Sequence, residues 1–150
     1  MKHMRIKFNA KRDLDRDELY LRAEKEAKLI HSKPSTRKGR DLESIIMTTL
    51  YGHASELYLI KHQGFTDDLR EYKDVIAPDG EPVEVKTTKH EKWVPYVLRR
   101  ENERAKDAWR KYPNLLYIFV GDVFTLDYYL HSVYEWNGKE FCLQSDEVVV

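Results

Sequence analysis

The residues with the clearest chemical potential lie in one short segment, Asp74-Val75-Ile76-Ala77-Pro78-Asp79-Gly80-Glu81-Pro82-Val83-Glu84-Val85-Lys86. A Glu-x-Lys triplet alone means little, and the chain has three: Glu26/Lys28, Glu71/Lys73 and Glu84/Lys86. The first falls in a helical pattern, where residues two apart point in different directions. The second has no acid at a suitable distance on a partner strand. The third falls in a strand pattern, where residues two apart share a face, so Glu84 and Lys86 project together. If the intervening turn centres on Asp79, Asp74 sits opposite Glu84, with Cβ atoms ~4.5–5.5 Å apart. Two carboxylates that close do not both ionise freely. A hard divalent cation resolves the conflict, since it takes oxygen ligands and bridges carboxylates to phosphate. A lysine beside it orients a water and offsets charge. Those parts suit metal-assisted phosphodiester hydrolysis. The plain alternative is an exposed hairpin face carrying cross-strand charges. Val75, Ile76, Val83 and Val85, packed around the charges, argue for the catalytic reading.

These residues need a hairpin, and the flanking pattern supplies one. Tyr72–Ala77 and Pro82–Thr87 read as strands, with Pro78-Asp79-Gly80 as a loop that puts Gly80 in the left-handed region. Before them, residues 15–31 read as a helix. Asp15 and Glu18 resemble a capping box, and Leu19, Ala23, Ala27 and Ile30 recur at helical spacing. A basic loop, 32–40, leads to a second helix over 41–62, with Leu42, Ile45, Ile46, Leu50 and Leu57 on one side. Gly52 is a candidate bend and Gly64 a stop. After the hairpin, Pro95 opens a helix over about 94–111. Its apolar stripe is Val94, Val97, Leu98, Ala105, Ala108 and Tyr112. Leu115–Val120 is six apolar residues in a row, as in a strand covered on both faces. Asn137-Gly138 predicts a last hairpin between Tyr134–Trp136 and Phe141–Leu143. The expected fold is α/β, a mixed β-sheet flanked by helices, in one domain. Residues 1–39 form a basic helical extension and loop, about 40–125 the core, and 126–150 a C-terminal strand or hairpin.

The 150 residues carry no net charge, but the charge is segmented. Residues 1–40 sum to +7, 41–90 to −5, 91–112 to +3 and 113–150 to −5. Basic segments gathered on one surface bind polyanions in a neutral protein. Ordinary solvated helices are the competing explanation. The single cysteine, Cys142, excludes an intrachain disulfide framework and a multi-cysteine zinc site. No apolar run approaches the ~20 residues of a membrane span. The N-terminal residues lack a signal-peptide pattern, so a cytoplasmic protein is expected. The histidines show no metal-ligand spacing, and no phosphate-binding glycine loop or Gly-x-Ser-x-Gly elbow occurs.

Asp74, Glu84-Val85-Lys86 and Thr87 resemble the catalytic hairpin of the PD-(D/E)xK nuclease superfamily. The order of elements over roughly 40–125 is similar to its αβββαβ core, a restriction-endonuclease-like arrangement. Lys73 stands where the family name has proline. The resemblance implies a Mg²⁺-dependent deoxyribonuclease, with Mn²⁺ able to substitute. Asp74, Glu84 and the Val85 carbonyl would hold the metal, and Lys86 would position the attacking water. Members often add a glutamate from the first core helix. Glu43 and Glu56 both follow a Gly-x-x-x-Glu pattern. In an unbroken helix they are about 140° apart and cannot serve one site. Gly52, one turn before Glu56, favours Glu56; Glu43 reads as a surface residue.

Candidates for contact with DNA are Arg37, Lys38 and Arg40 in the basic loop, Lys89 after the catalytic strand, and Arg100 and Arg104 on the third helix. A balanced solvated face, with Glu101, Glu103 and Asp107, explains the last two equally well. Cutting both strands takes two sites, so a homodimer or higher symmetric assembly is expected. The resemblance, with the small size, implies a phage or bacterial endonuclease, expected in a bacterial cell or phage-infected host. Two other readings stand beside this one: a catalytically silent nucleic-acid-binding module, and a self-assembling protein-interaction domain.

Overall fold

Two aspartates start the long helices on one side of the molecule. The computed structural model describes residues 6–34, 38–67, 75–108 and 111–144. Asp15 accepts the Glu18 backbone N–H at 3.0 Å and opens α2 (Arg16–His31), which follows a short α1 (Ala10–Asp13). Asp41 accepts the Ser44 N–H at 2.8 Å and opens α3 (Leu42–His62). Each cap satisfies an N–H that a helix start leaves unpaired, at about 1 kcal/mol. Helix α3 runs through Gly52 without a break. The chain leaves it through Gly64, at φ +76°. The α2–α3 contact is close because Ala23 and Ala27 are fully buried and small.

The strands are β1 (Lys7–Asn9), β2 (Thr66–Asp67), β3 (Val75–Ile76), β4 (Pro82–Thr88), β5 (Leu115–Gly121), β6 (Asp127–Trp136) and β7 (Phe141–Leu143). Among the described residues they form one sheet in the order β1-β6-β5-β4-β3-β2, with β7 also beside β6. Strands β4 and β5 are parallel and the other pairs antiparallel. The crossover between β4 and β5 holds a 3₁₀ turn, Glu91–Trp93, and helix α4 (Val94–Ala108). This is a mixed sheet flanked by helices, the expected α/β class.

The β3–β4 turn has the anticipated chemistry. Gly80 lies at φ +92°. The Ala77 N–H donates to the Glu81 carbonyl and the Gly80 N–H to the Ala77 carbonyl, both at 2.8 Å. The described pairs are Val75↔Val83 and Ile76↔Pro82, the register that a turn centred on Asp79 demands.

Strand β5 divides the core. Phe119 joins Phe8, Ala54, Leu57, Val83 and Val85 on the α3 side. Leu116, Ile118 and Val120 join Val94, Ala105 and Tyr112 on the α4 side. All six residues of the expected α4 stripe lie in or against that second cluster. The alternation is what a strand buried on both faces must show.

The first segment is more than a helical extension. Strand β1 pairs with β6, and Phe8 stacks between Tyr58 and Tyr128, at 4.2 and 4.9 Å between ring centroids. Lys7-Phe8-Asn9 is too short to show a period, so nothing local announces a strand. Its partner is the Asp127–Tyr129 stretch of the long β6, which β7 does not reach. The expected last hairpin is present as β6 and β7, with Gly138 at φ +101°. No described helix is long and apolar enough to cross a membrane.

Candidate functional site

Strand β4 sorts its side chains by parity. Val83, Val85 and Thr87 face α3; Val83 and Val85 enter its core, and the Thr87 hydroxyl lies 2.8 Å from Ser55 Oγ. Glu84 and Lys86 face α4. Lys86 Nζ is 3.1 Å from Glu84 Oε1 and 4.0 Å from Glu101 Oε1 of α4. The Glu84 residue is 3% exposed. A carboxylate that deep keeps its charge only beside a cation or several donors. The Lys86 side chain is 30% exposed, so the pair has one end in the core and one toward solvent.

The solvated-face alternative for α4 included Glu101, and it is 2% exposed instead. It accepts a hydrogen bond from the Tyr112 hydroxyl and is held by Arg104 Nη1 at 3.2 Å. Burial pushes the Tyr112 phenol far above its ordinary range, and the negative charges of Glu84 and Glu101 add to the shift. Tyr112 therefore stays a donor. A signal for Glu101 was available. It occupies the next position of the stripe Val94, Val97, Leu98, which continues to Ala105 and Ala108 at helical spacing. A carboxylate on a buried stripe needs partners, and Tyr112 and Arg104 are those partners.

Glu56 lies on the other side of the sheet. It is 9% exposed, while Glu43 is exposed near the start of the same helix. Glu56 Oε1 is 3.5 Å from Arg22 Nη2, and its Oε2 is 3.4 Å from His53 Nδ1. His53 Nε2 meets Glu26 Oε2 at 2.5 Å, and Arg22 Nη1 meets Asp67 Oδ1 at 2.7 Å. This chain of charges ties α2, α3 and β2 together. The His53 hydrogen bond holds Glu26 below the usual carboxylate range, and the positive charges of Lys86 and Arg22 assist. Lys86 thus acts electrostatically on the second network. Among the described residues no ion pair joins Glu56 to Lys86. Glu26 and Arg22 carry no motif, since their pairing depends on how α2 packs on α3.

The remaining expected residues scatter. Asp74 and Arg37 lie outside the described residues. Lys38, at φ +50°, and Arg40 are exposed just before α3. Lys89 is exposed just past β4, and Arg100 is exposed on α4. Arg104 is turned partly inward, onto Glu101. Val85 sends its side chain into the α3 core between the two charged neighbours.

The Glu84 carboxylate and the Val85 carbonyl are oxygen donors of the kind a hard divalent cation takes. Among the described residues no three His, Cys, Asp or Glu side chains are grouped so as to hold a metal ion. The donor type is the one Mg²⁺ takes, and Asp74, the other expected carboxylate, lies outside the described residues.

No family model, curated protein or solved structure matches this chain.

Proposed function

We propose that this protein is a Mg²⁺-dependent endonuclease of the PD-(D/E)xK type that hydrolyses phosphodiester bonds in DNA. The observation that carries the reading is the Glu84–Lys86 pair, 3.1 Å apart on one face of β4, with the carboxylate buried. A surface hairpin has no reason to bury one of its charges. Two features add support. The β3–β4 register, Val75↔Val83 and Ile76↔Pro82, would set position 74 opposite Glu84 if it continued by one residue. The order α3-β2-β3-β4-α4-β5 reads as αβββαβ.

In this reading Asp74, Glu84 and the Val85 carbonyl would hold Mg²⁺, and Mn²⁺ would substitute. When bound, the cation supplies Lewis acidity at the phosphate and a more acidic water. Lys86 holds the water for attack and offsets charge on the phosphate. Glu101 restrains the Lys86 ammonium from the α4 side. Glu56, held by Arg22 and His53, would be the further acid from α3. Lys38, Arg40, Lys89 and Arg100 supply exposed cations for the phosphate backbone. A duplex cutter of this kind works as a symmetric pair of sites, hence as a homodimer.

The test is cleavage of supercoiled, linear, single-stranded and four-way-junction DNA with Mg²⁺, Mn²⁺ or EDTA. Cutting should need metal. It should fall by at least about a hundredfold in Lys86→Ala and in Glu84→Gln, the scale of a lost charge-stabilising group. Metal-dependent cutting that survives both substitutions removes the proposal. DNA binding with no cutting on any substrate transfers the weight to a silent binding module.

A further inference from the structure

The start of α4 exposes two large aromatic rings that the core does not use. Trp93 and Tyr96 are each 50% exposed. They lie one turn apart on the same side, edge to face at 6.5 Å between centroids. The Arg99 guanidinium sits over the Tyr96 ring at 5.7 Å and continues the surface by another turn. Exposed Lys89 and Lys92 precede the rings, and exposed Arg100 follows them. The nearest acid, Glu91, already accepts the Tyr129 hydroxyl at 3.0 Å. Further down the helix Glu103 is exposed, so the basic character ends there.

Half-exposed tryptophan and tyrosine are costly to leave in water unless something covers them. The charge around them selects the cover. Cations on both sides of a stacking surface suit a polyanion with flat apolar faces, which describes a nucleic-acid strand. The rings stand on a convex helix, so they can meet a base only through its face. In an intact duplex those faces are closed by stacking. The position is also right. Trp93 follows Lys86 by seven residues, so it lies within about 25 Å of chain from that amine. Tyr96 stands five residues before Glu101, about 7.5 Å along the α4 axis from the group that contacts Lys86.

We infer that Trp93 and Tyr96, with Arg99, form a platform that stacks unpaired bases of a DNA strand running past Lys86. The inference rests on the reading of this chain as acting on DNA, and it narrows the substrate to DNA with a single-stranded segment.

The experiment measures binding of labelled oligodeoxythymidylate and of closed circular duplex, both in EDTA so that no cutting intervenes. Trp93→Ala and Tyr96→Ala should each weaken single-strand binding on the order of tenfold, with less than about a twofold effect on duplex. Trp93→Phe should keep most of the affinity. Single-stranded DNA should quench tryptophan emission in the wild type, and the quench should vanish in Trp93→Phe. Unchanged single-strand affinity, or equal losses on both DNAs, overturns the platform. So does a drop in oligomeric state on light scattering with binding intact, which would assign the rings to a second copy. The nuclease reading fails separately. Ring-dependent binding by a protein that cuts nothing keeps the platform and removes the nuclease. Cutting of single-stranded DNA that is indifferent to both rings removes only the platform.

Discussion

Glu101 and Glu26 show how a charge earns its place by what surrounds it. Glu101 sits in the core with Tyr112, Arg104 and Lys86 around it. Glu101→Ala should cost about 3 kcal/mol in urea unfolding, since it empties a packed volume and strands the Tyr112 hydroxyl. Tyr112→Phe should cost less, about 1–2 kcal/mol, by removing one donor. An Ala variant as stable as wild type would refute the buried role. Glu26 is half exposed, so its pairing with His53 contributes at most about 1 kcal/mol. Its folded-state value is held below the ordinary 4.5, so the contribution is present above that pH and fades as pH falls below it. The melting-temperature gap between wild type and Glu26→Gln should be open at pH 7 and close in acid. At this scale Glu84 and Lys86 were legible, because strand parity alone puts them on one face. The Glu26–His53–Glu56–Arg22 chain was not, because two of its three links cross between α2 and α3, and only His53–Glu56 lies within one helix.

The elements that carry the strongest local signals came out as read. Asp15 caps the helix it precedes, Gly64 and Gly80 take the left-handed turns, and Asn137-Gly138 closes a hairpin. Each signal is local chemistry, acting within a few residues. Strand β1 gave none, because three residues hold less than one useful period and their partner is far along the chain. Gly121 is similar. It ends β5 without a positive φ, yet a Cβ there would stand 2.5 Å from the Tyr128 ring and 3.0 Å from the Tyr51 hydroxyl. That hydroxyl donates to the Gly121 carbonyl and lies 3.0 Å from the Thr88 carbonyl, so it clasps the ends of β5 and β4 to α3. Burial raises its phenol to about 12, which keeps the clasp protonated well past neutrality. Gly121→Ala should force the clasp apart and cost about 1–3 kcal/mol by thermal unfolding. An unaffected melting temperature would mean that the rings yield freely.

At the scale of the molecule two charged networks are anchored on different helices, and Lys86 bears on both. Glu84, Lys86 and Glu101 lie on the α4 side, and Glu26, His53 and Glu56 on the α3 side. The β3–β4 hairpin could be anticipated from its turn residues, but which network meets which could not, since that depends on packing across the sheet. Phe8 is where the packing is tested most directly. Phe8→Ala should cost about 3–5 kcal/mol by chemical denaturation, the range for a buried phenylalanine, and a loss below 1 kcal/mol would mean that β1 is dispensable. The same strand sets a schedule. Asn9 bonds to Asp127, 118 positions later. A ribosome adds roughly 5–20 residues each second, so β1 waits on the order of ten seconds after its own synthesis for β6 to emerge. Through that interval Phe8 and Tyr58 have no Tyr128 to close over them, and the newborn chain carries an uncovered aromatic surface that a chaperone can hold.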